Sequence, residues 1–328
     1  MPETEFTPPP PSNSQLRAIF IGSHGVRAGW RLLIFLALLM AMRFAVVFPL
    51  SKIIGRLGRE FSARNVIIGE TLAFGMVLIV TGIMGRFERR SLADYGLPFR
   101  RILGKQFWTG ALWGFVMLSV IVGMMAASGA YAFGGLALSP ADVIKYGLLW
   151  ALAFVLVGFF EEFTFRGYMQ YTLTTGMGFW PAASITCVLF AGLHLFNPGE
   201  NPIGVVEIVL IALFLCLALR RTGNLWFAIG WHMAFDWGES FFYSTPNSGI
   251  HATGHLLKAS LMGSKWLSGG TVGPEASVFD LIVTIVGILL LAKIYPQAKY
   301  PAAAASAEPN PGPAPDVLTQ PSPSHLMP

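Results

Sequence analysis

Apolar runs of about 20 residues, the length at which a helix crosses a bilayer, recur along this chain. They lie near 29–50, 66–85, 107–127, 146–173, 179–197, 203–219, 224–243 and 277–295. A segment in lipid must satisfy its own backbone hydrogen bonds. The expected fold is therefore all-α, a polytopic membrane bundle of about eight transmembrane helices. Composition agrees, with hydrophobic residues at 54% and charged residues at 12%, about half the charged share of a soluble domain. That balance excludes an ordinary cytosolic globule, and it excludes global disorder.

The ends differ from the middle. Pro2, Pro8 to Pro11 and the prolines from Pro296 to Pro328 mark residues 1–15 and 297–328 as tails that bury too little apolar area to order themselves. Residues 16–296 form one membrane domain, and no internal repeat points to a transporter built from duplicated halves. If the N-terminus is cytoplasmic, that side receives about twice as many Arg and Lys as the other, with Arg166 counted among them, so both termini are expected inside. No basic run is dense enough for nucleic acid, and the bilayer is the first expected partner. Cys187 and Cys216 sit in apolar runs without CxxC spacing and read as small core hydrophobes.

An ionisable group inside a span is costly and marks function by default. Arg43, Glu70, Glu161, Glu162, Arg166, His194, Glu207, His232, Asp236, Glu239 and Asp280 are such groups. Glu162 and Arg166 are four apart and share a helix face, which suits an ion pair, while Glu161 points about 100° away and is free to face a pocket. Gly176-Met-Gly178 reads as the turn of a helical hairpin. Glu161 and His194 then lie at one depth, each roughly 25 Å from the turn. His232 and Asp236, again four apart, follow the Gly223-Asn224 turn on the same side and fall at comparable depth.

Such a set can hydrolyse a bond. Glu161 can take a proton from water. His194 and His232 can position that water, or bind a zinc ion together with Glu161, which would lower the water's pKa. Without a metal, His232 can donate to the oxyanion of a tetrahedral intermediate, and Asp236 can orient His232 or act as a further ligand.

The three clusters read Glu161-Glu162-Phe-Thr-Phe-Arg166, Phe190-Ala-Gly-Leu-His194 and His232-Met-Ala-Phe-Asp236. In order, spacing and placement on apolar helices they resemble the EExxxR, FxxxH and HxxxN/D motifs of the CPBP intramembrane protease family, also called the Abi or type II CAAX prenyl endopeptidase family. The resemblance covers about residues 146–243. It implies an intramembrane endopeptidase acting on a membrane-associated protein or peptide. Glu161 would activate water with His194, His232 and Asp236 would complete the polar site, and Glu162 and Arg166 would support it. The resemblance allows either a glutamate-dependent mechanism without metal or a metal-dependent one in which Glu161, His194 and His232 hold Zn2+. Asp236 stands where prenyl-processing members typically carry Asn, and an ionised Asp cannot donate a hydrogen bond, which points away from prenylated substrates. The alternative is a non-catalytic scaffold or bacteriocin-immunity-type protein that keeps the fold.

Several polar and aromatic residues read more plainly. Phe190 is expected in the pocket wall. Glu239, seven residues from His232 on one face, is expected near the cavity. Glu70, Glu207 and Asp280 have no assigned role. His251 and His255 lack the glutamate of HExxH and read as loop residues. Trp226, Trp231, Trp237 and Trp266 are expected as interface anchors.

Overall fold

A computed structural model describes residues 19–22, 25–54 and 60–300, with the backbone alone for 51–54. Most of the two expected tails, 1–15 and 301–328, lies outside the described residues. Residues 297–300 do not hang free: the Lys299 amide donates to the Arg220 carbonyl at 2.8 Å, and Tyr300 is buried.

The helices are α1 Ala28–Ile54, α2 Ala63–Glu88, α3 Lys105–Ala127 and α4 Pro140–Glu162. α4 continues through a π turn, Phe163–Met169, into α5, Gln170–Met177. There follow α6 Phe179–His194, α7 Pro202–Thr222 and α8 Trp226–Trp237. α8 ends in a second π turn, Gly238–Phe242. A short α9, Lys265–Ser268, precedes α10, Val278–Ile294. Strand among the described residues is confined to two short antiparallel pairings, β1 Ile21–Gly22 with β2 Gly25–Val26 and β3 Tyr131–Ala132 with β4 Ser260–Leu261.

The helical membrane bundle read from the sequence is the observed architecture. Its spans are fewer by length: five helices, including the continuous Pro140–Met177, are long and apolar enough to cross a membrane. The remaining expected spans map onto α6, α8 and α10, of 16, 12 and 17 residues. At 1.5 Å per residue these fall short of the roughly 30 Å hydrocarbon core.

Local chemistry fixes the helix ends. Pro140 and Pro202 open α4 and α7 with a preset φ, behind Ser139 and Asn201, whose side chains accept the first free amides. Gly178 and Gly223, at φ 84° and 90°, close α5 and α7 in conformations that a side chain would strain. Gly178 is thus the turn of the α5–α6 hairpin.

α8 is the central helix, with every residue from Trp226 to Asp236 buried. Its most extensive packing is on α3, and glycines make it possible. A Cβ at Gly110 would lie 2.0 Å from the Phe227 carbonyl oxygen, one at Gly114 2.3 Å from that of Trp231, and one at Gly230 2.0 Å from that of Phe107. Gly110-Ala-Leu-Trp-Gly114 is a small-xxx-small seam. Central placement also corrects two of the expected anchors. Trp226 and Trp231 are buried, their indole N–H groups donating to the Pro98 carbonyl and to Met117 Sδ. Trp237 donates to the Gly147 carbonyl, and only Trp266 is exposed.

Candidate active site

α4 approaches α8 at Gly158, where a Cβ would lie 3.1 Å from the Ile229 carbonyl oxygen. That approach brings two consecutive glutamates of α4 against His232. Glu162 Oε1 accepts from Arg166 Nη1 at 3.1 Å and from His232 Nδ1 at 2.9 Å. Glu162 and Arg166 are almost wholly excluded from solvent. The expected i, i+4 ion pair therefore exists, but Arg166 is buried in the bundle rather than in the basic loops where the orientation argument placed it. The Glu162–His232 bond joins residues 70 apart, and no sequence periodicity signals it.

The second ring nitrogen, His232 Nε2, lies 3.5 Å from Glu161 Oε2 and 3.5 Å from Asp236 Oδ2. Glu161 is the more open carboxylate of the pair on α4, with 24% of its side chain exposed against 0% for Glu162. Adjacent positions on the helix thus divide the work: one glutamate is sealed against Arg166, and the other faces space.

Phe190 does more than line a wall. Its ring carries the Arg166 guanidinium on one face at 4.4 Å and meets the His194 ring at 4.5 Å. The aromatic of FxxxH thereby couples the arginine of one motif to the histidine of another. His194 Nδ1 donates to the Phe190 carbonyl at 2.8 Å. A carbonyl can only accept, so Nδ1 carries a proton and Nε2 is the ring nitrogen left to the cavity. The π turn after α4 shapes this neighbourhood. Gly167 departs from helical backbone (φ −81°, ψ −105°), and a Cβ there would lie 2.8 Å from the Phe163 ring. Such turns gather at functional sites.

Glu161, His194, His232 and Asp236 line one cavity of about 230 Å³. Its remaining polar wall comes from residues to which the sequence assigned no role: Glu70 of α2, Asn197, and Asn247, Ser248 and Glu275 from the loops between α8 and α10. Glu275 accepts from the Ser248 amide at 2.7 Å and from its hydroxyl at 3.1 Å. Burial pushes the Glu275 carboxyl up from its ordinary value, while these bonds and nearby His194 pull the other way. The signal that could have found Glu275 is its place beside the acid-bearing start of the last apolar run.

The other intramembrane acids lie elsewhere. Glu239 is fully buried, neither oxygen having a hydrogen-bond partner among the described residues, and it does not line the cavity. Glu207 is buried beside Asp280, whose Oδ1 accepts from Thr284 Oγ1 at 3.2 Å. His255 lies in a loop, with Nδ1 on the Leu257 carbonyl. Cys187 and Cys216 are buried free thiols with sulfurs 3.9 Å apart.

A zinc set of Glu161, His194 and His232 needs three donors around one point at about 2.0–2.2 Å. Among the described residues no three His, Cys, Asp or Glu side chains gather in that way. His232 gives Nδ1 to Glu162 and turns Nε2 toward Glu161 and Asp236, 3.5 Å from each. Glu161 and His194 line the same cavity, in which a water can be held between carboxylate and imidazole.

Residues 143–238 match the protein-family model described as Type II CAAX prenyl endopeptidase Rce1-like. The matched stretch spans all three motifs and runs from α4 to the start of the second π turn. It supports a membrane endopeptidase in general. No curated protein matches the chain.

Proposed function

We propose that this chain, through its Rce1-like segment, hydrolyses a peptide bond of a membrane-associated protein or peptide inside the bundle. The observation that carries the reading is the convergence of Glu161, His194, His232 and Asp236 on one cavity from three helices. In this reading Glu161 takes a proton from a water held between its carboxylate and the free Nε2 of His194, and the water oxygen adds to the scissile carbonyl. Glu162, fixed by Arg166, accepts the Nδ1 proton of His232 and sets that ring. Nε2 then faces the cavity, where a proton on it meets the developing oxyanion. Asp236, too far from His232 for a short bond, offers a second carboxylate for that proton. Collapse of the intermediate returns the Glu161 proton to the leaving amine.

The test is cleavage of a membrane-inserted peptide by purified, reconstituted protein. Glu161→Ala and His194→Ala should each lower turnover by about 10²-fold or more. Full cleavage by both variants would sink the chemistry, and an inert wild type against a broad peptide set would favour the scaffold alternative. A zinc chelator in the same assay should leave cleavage unchanged.

A further inference from the structure

The loop between α2 and α3 shows a combination that a water-facing turn has no reason to keep. It is nailed to the body from behind. Tyr95 and Leu97 are fully buried, the Leu225 amide donates to the Gly96 carbonyl at 2.8 Å, and the Trp226 indole donates to the Pro98 carbonyl at 3.1 Å. The residues that follow point outward from this fixed base. Phe99, Ile102 and Leu103 are 50%, 52% and 45% exposed. Between and after them Arg100, Arg101 and Lys105 are exposed as well, and among the described residues none of the three makes an ion pair.

Apolar and basic side chains alternate here at the end of two spans, where hydrocarbon meets headgroups. Trp108, one turn into α3 and 62% exposed, marks the same level as an interfacial indole would. In water alone, three large apolar side chains held out on a fixed loop would forgo the free energy of burial. At a leaflet surface they enter the acyl boundary while the cations meet phosphates.

We propose that residues 99–105, with the start of α3, form a binding platform for acidic phospholipids of the leaflet on that side. Charge complementarity selects the occupant: the platform offers cations and apolar groups but no carboxylate, since Asp94 is turned back onto Ser91 through both its amide and its hydroxyl.

The experiment is native mass spectrometry of full-length protein released from bilayers of equal phosphatidylcholine and phosphatidylglycerol, counting retained lipid of each kind. Wild type should retain phosphatidylglycerol in preference. R100Q/R101Q/K105Q should lower that preference about fivefold or more, given the attraction of each basic residue to an anionic surface. R100K/R101K, which keeps the charge, should behave as wild type. These side chains are exposed, so unchanged helical circular dichroism is expected throughout. An undiminished preference in the triple glutamine variant overturns the proposal. Displacement of the lipid by millimolar inorganic phosphate also overturns it, because it would mark a site for free anions.

Discussion

Glu162 accepts from two cationic or potentially cationic groups on a single oxygen, at full burial. A charge in that position is tolerable only while its partners stay. Glu162→Gln should therefore leave Arg166 without its counter-charge and destabilise the fold by about 3–5 kcal/mol, read as a lower melting temperature in detergent. A loss below about 1 kcal/mol would mean that Arg166 finds another acceptor. Helix periodicity made half of this arrangement legible in the sequence, because Glu162 and Arg166 are four apart and Glu161 is one step round. The other half was not legible. The Glu162–His232 bond and the Phe190 contact with Arg166 join different helices, and spacing along one helix carries no information about which neighbour it will meet.

At the scale of elements, α3 and α8 are drawn together by glycines rather than by large apolar side chains. Gly114→Leu places a side chain where even a Cβ would be 2.3 Å from a carbonyl oxygen. It should cost at least the 1–3 kcal/mol typical of overpacking, and it should disturb the site, because α8 carries His232 and Asp236. Gly123→Leu, on the same helix with nothing within 4 Å of its Cβ position, is the control and should melt like wild type. Equal melting of the two variants would mean that close approach at Gly114 does not hold α3 and α8 together. The seam was present in the sequence as Gly110-Ala-Leu-Trp-Gly114, but hydropathy windows register only that the run is apolar. The π turns are less legible still, since a wider turn leaves the hydropathy of a run unchanged.

The loops that close the cavity make a separate prediction. Glu275 has its folded-state value raised above 4.5 by burial. An acid with a raised folded-state value binds protons more readily when folded, so its contribution is fully present at low pH. That contribution is lost as pH rises from about 4.5 through the raised value. Glu275→Gln keeps an oxygen for the Ser248 amide and removes the titration. The melting temperature of wild type should fall relative to Glu275→Gln across that rise. Parallel curves would mean that Glu275 ionises in the folded protein as freely as in the unfolded one.

The whole molecule places its charges by side. Arg31 at the start of α1 pairs with Glu88 at the end of α2 at 3.1 Å, and Arg31 also reaches Thr175 near the end of α5. Gln106 at the start of α3 donates to the carbonyl of Thr222 at the end of α7. Arg221 bonds the Pro296 carbonyl just beyond α10. These contacts gather the first and last described helix ends on the face that also carries Arg86, Arg89, Arg100, Arg101, Lys105 and Arg220. The sequence reached the same grouping by counting Arg and Lys in alternate loops, although it counted Arg166 on that face and the bundle interior holds it. A face so rich in Arg and Lys is retained on the cytoplasmic side during insertion, so both termini are expected there. A green fluorescent protein fused at either terminus should fluoresce, and alkaline phosphatase fused at either should stay inactive. Active phosphatase at either terminus would overturn this orientation.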